Sequence, residues 1–261
     1  MQDLKVTLVQ SEQYWENKAK NWSHYSHLLK GMEHPSDLIL LPEMFDTGFS
    51  MNTALAEDWE NNSSLNYLQE LSEKHQAAIY TSMMCREKGH YFNRGVFVRP
   101  DGHVSTYDKR KTFGLAGEHT LFTAGIKETI VEYKGWKIQL QICYDLRFPE
   151  NARNGLKEDG SARYDLLLYV ANWPERRAEH WKALLKARAI ENQCYVAAVN
   201  RVGTDGSDLT YSGDSTCIDA LGESLWSVNK DQIVQEVMLS KTSLQQIRQL
   251  LPFLKDVNLL I

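Results

Sequence analysis

Three residues of this sequence could do chemistry together, because each stands where a strand-like run gives way to a loop. Glu43 follows Leu38-Ile39-Leu40-Leu41-Pro42, Lys109 follows Val104-Ser105-Thr106-Tyr107-Asp108, and Cys143 follows Trp136-Lys137-Ile138-Gln139-Leu140-Gln141-Ile142. Such strand ends are where α/β proteins collect ligands and reactive groups. A carboxylate, an ammonium and a thiol are the base, fixed cation and nucleophile that acyl transfer needs. An ordinary thiol has a pKa of about 8.5, so little thiolate exists near neutrality, and a carboxylate within reach can take the proton as attack occurs. The same carboxylate would return a proton to a departing amine, and the ammonium would face the developing oxyanion. Each residue also has an ordinary reading: a solvated loop glutamate, a surface lysine, a small buried thiol. Spacing alone does not assemble them.

Competing chemistries find less support. None of His24, His27, His34, His75, His90, His103, His119 or His180 stands in a recognisable cysteine-protease context. His24 and His27 share a helix face without a zinc-type pattern, and no glycine-rich phosphate loop occurs. No metal or cofactor is called for. Cys85, Cys194 and Cys217 read as structural, and Tyr14, Trp15, Trp22 and Tyr25, at helical spacing, read as packing. Trp173 follows a buried strand and is equally well a lid on the core or a wall of a substrate site.

The elements that must position these residues alternate between strand and helix without a low-complexity linker, which predicts one α/β unit. Lys5 to Gln10 alternates as a strand, and Tyr14 to Lys30 reads as a helix. Asp37 to Leu41 is continuously apolar, as in a strand buried on both faces, and stops at Pro42. A helix over about 65–75 and a strand from Ala77 to Met83 follow. Pro100-Asp101-Gly102 and Lys134-Gly135 are turns inside antiparallel pairs. Leu166 to Val170 is a second buried strand, followed by a helix over about 177–192 and a strand from Tyr195 to Val199. Turns at Thr204-Asp205-Gly206 and Ala220-Leu221-Gly222 precede a terminal helix from Ser243 to Leu250.

The 261 residues are 43% hydrophobic and 24% charged, ordinary values for a globular chain. A net charge of −5 argues against nucleic acid or an anionic membrane as partner, and Lys109-Arg110-Lys111 is the one tight basic run. The first residues lack the pattern of a signal peptide, and no apolar run is long enough to cross a bilayer. Four scattered cysteines suit a reducing cytoplasm better than a disulfide framework.

Leu40-Leu41-Pro42-Glu43-Met44-Phe45, Tyr107-Asp108-Lys109-Arg110-Lys111 and Cys143-Tyr144-Asp145-Leu146-Arg147-Phe148-Pro149-Glu150, in that order, resemble the three signature segments of the carbon–nitrogen hydrolase (nitrilase) superfamily. Val170-Ala171-Asn172-Trp173-Pro174, Arg188-Ala189-Ile190-Glu191-Asn192 and Asn200-Arg201-Val202-Gly203 extend the match from about Lys5 to Leu239. The resemblance implies a four-layer α-β-β-α sandwich of two mixed sheets with outer helices, one domain over 1–261 (core about 4–239, tail 240–261), paired into a homodimer through its helical face. It gives Glu43, Lys109 and Cys143 the general-base, cationic and nucleophilic positions. Glu118 best matches the second glutamate found in many members, with Glu128 the poorer match. Cys143-Tyr144-Asp145, in place of Cys-Trp-Glu, resembles the amidase branches rather than true nitrile hydrolases. Within the superfamily the segments are most similar to omega-amidases, which remove the terminal amide of 2-oxoglutaramate or 2-oxosuccinamate. An N-carbamoyl amide hydrolase, a general aliphatic amidase and a catalytically silent binding member are the alternatives. The backbone N–H of Tyr144 would join Lys109 at the oxyanion, and Trp173 would meet the substrate. Arg147 could clamp a substrate carboxylate, or pair with Asp145 or Glu150 to hold its loop, and Arg176 and Arg177 are alternative clamps.

Overall fold

Strand alternation decides how this chain is buried. In β1 (Leu4–Gln10) and β2 (Leu38–Leu40), Val6, Leu8, Leu38 and Leu40 point one way, into the largest apolar cluster. Val9 and Ile39 point the other way and, with Leu41, join Tyr25, Leu29, Leu68 and Leu71. Those last four belong to the helices α1 (Lys18–Lys30) and α2 (Ser63–His75). Both faces of the sheet are therefore covered, which is why these strands read as continuous apolar runs.

The computed structural model describes residues 2–32 and 34–260. In the first sheet β1, β2 and β4 (Ala78–Glu87) run parallel. The hairpin strands β5 (His90–Val98) and β6 (Val104–Asp108) continue it antiparallel, and short β3 (Glu57–Asp58) pairs with the end of β4. In the second sheet β8 (Trp136–Ile142), β9 (Leu166–Ala171) and β10 (Tyr195–Asn200) run parallel, with β7 (Ile130–Tyr133) antiparallel to β8. β13 (Thr216–Ile218) and β14 (Ser224–Ser227) extend its other edge. Before them, β11 (Val202–Thr204) and β12 (Thr210–Ser212) make a separate hairpin. Finally β15 (Ile233–Leu239) returns to pair with β1.

The sheets pack face to face, and the Tyr80 hydroxyl of one donates to the Gln141 carbonyl of the other (2.9 Å). Trp181, Leu185 and Ala189 of α4 (Ala178–Asn192) and Leu244 of α5 (Lys241–Leu250) cover the second sheet. The α-β-β-α sandwich expected from the sequence is the architecture found. Among the described residues no helix is long and apolar enough to cross a membrane.

Two helix boundaries differ from expectation. α1 begins at Lys18 rather than Tyr14, because Asn17 caps it by accepting from the Lys20 N–H (3.1 Å) and Glu16 turns left-handed at φ 52°. Tyr14 and Trp15 therefore lie in a loop, while Trp22 stacks on Tyr67 of α2 (5.3 Å) as packing. α5 starts at Lys241, capped by Ser240, and is anchored by Asp165 at the head of β9. That carboxylate pairs with Lys241, accepts from Arg248 (2.8 Å) and takes the Lys137 N–H (3.1 Å). Burial pushes the Asp165 carboxyl up, but Lys241 and Arg248 outweigh it and hold it below the usual range.

A carboxyl lowered in the folded state contributes stability that is present above its unfolded value and lost as pH falls through the folded one. Asp165→Asn should thus cost about 2–3 kcal/mol at pH 7 by urea unfolding, less than a fully buried pair because both cations keep some water contact. The deficit should shrink below about pH 4. Equal stability of the two proteins at pH 7 would show that this pair does not hold α5.

Candidate active site

The C-terminal ends of the central strands of both sheets converge. Beyond β2, Leu41 still pairs with Tyr80 (3.0 Å) and the Pro42 carbonyl accepts from Thr81 Oγ1 (2.6 Å), so Glu43 is carried in at fixed register. Met44 turns left-handed at φ 45°, held by Ser82 Oγ (2.9 Å). Gln13 Nε2 donates to the carbonyls of Glu43 and Met44 (3.0 and 3.2 Å). Lys109 leaves β6 with its N–H on the Asn93 carbonyl (3.0 Å). Glu118 opens the single turn α3 (Glu118–Leu121) after Gly117, whose φ of 75° favours glycine.

Cys143 is the first residue of a 3₁₀ turn, Cys143–Arg147, and is itself left-handed at φ 43°. A non-glycine residue in that region is strained and persists only where its surroundings impose it. Asp145 does so here. Its carboxylate accepts from the Ile142 N–H (3.1 Å), the Lys111 N–H (2.9 Å) and the Tyr107 hydroxyl (2.8 Å). Burial pushes this carboxyl up to about 6 despite Lys109 and those donors.

Glu43, Lys109 and Glu118 form one buried cluster, none more than 1% exposed. The Lys109 ammonium donates to Glu43 Oε1 (2.7 Å) and to both oxygens of Glu118 (3.1 and 2.9 Å). Burial works to lower the lysine pKa, but Glu118 and Glu43 outweigh it and hold it raised, so the ammonium stays charged. Cys143 goes the other way: burial, then the Glu43 charge, push the thiol well above its ordinary value against the pull of Lys109. Such a thiol rests protonated and can lose its proton only to a base as it attacks.

Glu43 itself is asymmetric. Its Oε1 accepts from Lys109 and from Asn93 Nδ2 (2.8 Å), whereas among the described nitrogen donors Oε2 takes the Asn172 N–H (2.9 Å). Oε2 thus keeps a lone pair, and the Cys143 thiol points to the Asn172 carbonyl beside it (3.9 Å). Sequence reasoning missed Asn93 and gave Asn172 no role. Asn93 also donates to Glu118 (3.0 Å), so one amide ties both carboxylates together. A polar residue inside Tyr91-Phe92-Asn93-Arg94, in the middle of a strand, was the available signal. Asn172 further donates its side-chain amide to the Glu43 carbonyl (2.6 Å).

Cys143 opens onto a cavity of about 450 Å³ whose walls include Tyr144, Arg147, Trp173, Arg176 and Arg177. Trp173 serves both readings, being 3% exposed and yet lining the cavity. Its backbone is stapled by Asn200, which accepts from the Trp173 N–H (2.7 Å) and donates to its carbonyl (2.9 Å). Two expectations are corrected, those for Trp15 and for the pairing of Arg147. Trp15, read as packing, lines this cavity because its loop precedes the helix. Glu128 pairs with Arg163, whereas Glu118 is the glutamate that joins Glu43 on Lys109. Arg147 pairs with neither Asp145, which serves the turn, nor Glu150, which meets Lys111 (3.3 Å). Instead its guanidinium lies over the Trp173 ring (4.7 Å) and contacts His180 Nδ1 (3.1 Å).

The profile of the family described as carbon-nitrogen hydrolase matches residues 5–250. The chain belongs to the carbon-nitrogen hydrolase family. This carbon-nitrogen hydrolase is 42% identical to the omega-amidase YafV of Yersinia enterocolitica, over 99% of this chain and 98% of that one. It is 31% identical to the 2-oxoglutaramate amidase of Bacillus subtilis, over 97% of each. Among solved structures it is similar to XC1258 of Xanthomonas campestris, a superfamily member with an arsenic adduct in its active site (TM-score 0.94, 42% identity, 97% of each chain covered).

Burial raises the thiols of Cys85, Cys194 and Cys217 to about 12, and none of the three lines the cavity. Because Cys143 alone of the four lines the cavity, iodoacetamide should modify it at least about tenfold faster than the other three, read by peptide mass spectrometry. Comparable rates at all four would mean that the cavity gives Cys143 no advantage.

Proposed function

We propose that this carbon-nitrogen hydrolase is an omega-amidase. It removes the terminal amide of a short dicarboxylate monoamide, such as 2-oxoglutaramate or 2-oxosuccinamate, as ammonia. The observation that carries this reading is the cavity rim: Arg147, Arg176 and Arg177 line it, and among the described residues none of them forms an ion pair with a carboxylate. Burial and the neighbouring cations Arg176 and Arg147 lower the pKa of Arg177. Guanidiniums crowded without an ion-pair partner suit an anionic substrate, which one of them can grip in bidentate fashion. A general aliphatic amidase would have no use for them.

In this reading Cys143 Sγ attacks the amide carbon while its proton passes to Glu43 Oε2. The oxyanion is met by the Lys109 ammonium and the Tyr144 N–H. Glu43 returns the proton to the nitrogen as the C–N bond breaks, leaving a thioester and free ammonia. Water, deprotonated by Glu43, then splits the thioester and regenerates the thiol. Glu118 and Asn93 keep Lys109 and Glu43 in register. The four free, buried thiols suit a reducing cytoplasm, and the superfamily resemblance supports a homodimer paired through the helical face.

Cys143→Ala should abolish ammonia release while folding survives, and acyl trapping should mark the Cys143 peptide alone. Glu43→Gln should be nearly as damaging, since an amide cannot accept the thiol proton. Lys109→Arg should not rescue, because a planar fork cannot replace a compact ammonium among two carboxylates. Wild-type turnover by Cys143→Ala would refute the mechanism. Asn93→Ala removes hydrogen bonds to two carboxylates, each worth about 1.5–3 kcal/mol, and should lower kcat by at least roughly tenfold with little change in KM.

The substrate is tested by comparing 2-oxoglutaramate with its carboxylate ester. Blocking a carboxylate that pairs with a half-buried guanidinium removes a charged hydrogen bond and should cost about 1.5–3 kcal/mol, a roughly ten- to hundredfold loss in kcat/KM. Arg147→Met should erase most of that difference. Equal kcat/KM for acid and ester would remove the clamp and favour the general amidase.

A further inference from the structure

Arg188-Ala189-Ile190-Glu191-Asn192 closes α4, and its first residue breaks the pattern of that helix. Trp181, Leu185 and Ala189 turn an apolar face to the second sheet, and Arg188 lies on the same face, only 3% exposed. A guanidinium in that place has to be bonded on its buried side. Its Nη1 pairs with Oε1 of half-buried Glu191 (2.9 Å), and its Nη2 donates to the Leu146 carbonyl (2.6 Å). Asn192 fixes the backbone behind it, donating to the Arg188 carbonyl (2.9 Å) and accepting from the Asn154 N–H (2.8 Å).

Leu146 belongs to the turn Cys143–Arg147. In a longer 3₁₀ turn its carbonyl would take the N–H of the residue three positions on. That residue is Pro149, which has none. The chain leaves the turn at extended Phe148, whose N–H closes on the Asp145 carbonyl (3.0 Å). Arg188 therefore supplies the Leu146 carbonyl with the donor that Pro149 lacks. The left-handed backbone of Cys143 persists only while its turn is held. Asp145 holds the entry through the Ile142 N–H, and Arg188 holds the exit through Leu146. The Cys143 thiol and the Tyr144 N–H lie between those two ties.

We propose that Arg188 is a positioning residue for the reaction: from α4 it fixes the exit of the nucleophile's turn, and with it the aim of Cys143 Sγ and the Tyr144 N–H. The proposal rests on the reading of Cys143 as nucleophile but not on the identity of the acid. The test compares the wild type with Arg188→Ala and Arg188→Lys on the primary amide that the wild type hydrolyses best. The folded fraction of each is read from the protection of buried Cys85, Cys194 and Cys217 against iodoacetamide. For each folded molecule, kcat should fall at least about tenfold in Arg188→Ala, with KM changed by less than about threefold. Arg188→Lys should lose less, since its ammonium keeps a donor but not the fork that serves Glu191 and Leu146 together. A purely structural arginine would lower the folded fraction and leave kcat per folded molecule at the wild-type value, and that result overturns the proposal. Should Arg188→Ala fail to fold, Arg188→Lys decides by the same measure. Labelling of Cys143 itself should slow in the same order and needs no substrate. A wild type that ignores dicarboxylate monoamides, while the variants still slow that labelling, overturns only the omega-amidase reading.

Discussion

One ammonium between two carboxylates governs this structure. Taking Glu43 or Glu118 out of water alone would cost several kcal/mol, and Lys109 is what makes burying both of them tolerable. The cluster still carries one more negative charge than positive. Burial first, and then that negative charge beside it, keep the adjacent thiol protonated at rest. Once a substrate is bound, moving the thiol proton to Glu43 keeps the total charge constant and shifts the negative charge onto the oxygen that Lys109 can meet. The arrangement stabilises charge where the proposed reaction develops it rather than where the resting enzyme would hold it.

The sandwich makes this cluster possible by giving each sheet the same parallel triplet. β2 is the middle strand of one triplet and β9 of the other, and they end in Glu43 and Asn172. Those residues are hydrogen-bonded across the gap between the sheets, through the Asn172 N–H to the carboxylate and its amide to the Glu43 carbonyl. Cys143 comes from the strand next to β9. Glu43 and Cys143 thus stand on different sheets, and their separation is set by sheet packing rather than by a flexible loop. Tyr80, bonded from β4 to the Gln141 carbonyl of β8, fixes the same distance from within the core.

Much of this was legible in the sequence because apolar runs mark buried strands and their ends mark loops. Leu38 to Leu41 and Leu166 to Val170 showed both central strands, and the three signature segments placed Glu43, Lys109 and Cys143 in one site. Other features depend on tertiary contact and carry no local pattern. Trp15 has helical spacing with Trp22 and Tyr25, yet Asn17 starts the helix after it and leaves the indole to the cavity. Asn93 looks like any polar residue in a strand until Glu43 and Glu118 close on it. The choice between Glu118 and Glu128 needed the turn at Gly117, which carries Glu118 back to Lys109.

The electrostatics also bear on how a substrate would lie. The carboxylate cluster stands beside Cys143, and the cavity walls carry Arg147, Arg176 and Arg177 as well as Glu16 and Asp205. The proposed dicarboxylate monoamide would set its anion against the arginines and its neutral amide at Cys143. The reversed orientation would bring a carboxylate next to Glu43, where like charge and desolvation both oppose it. Hydrolysis turns the amide into a second carboxylate in just that place. In the proposed reaction the charge that orients the substrate would therefore also weaken the hold on the product.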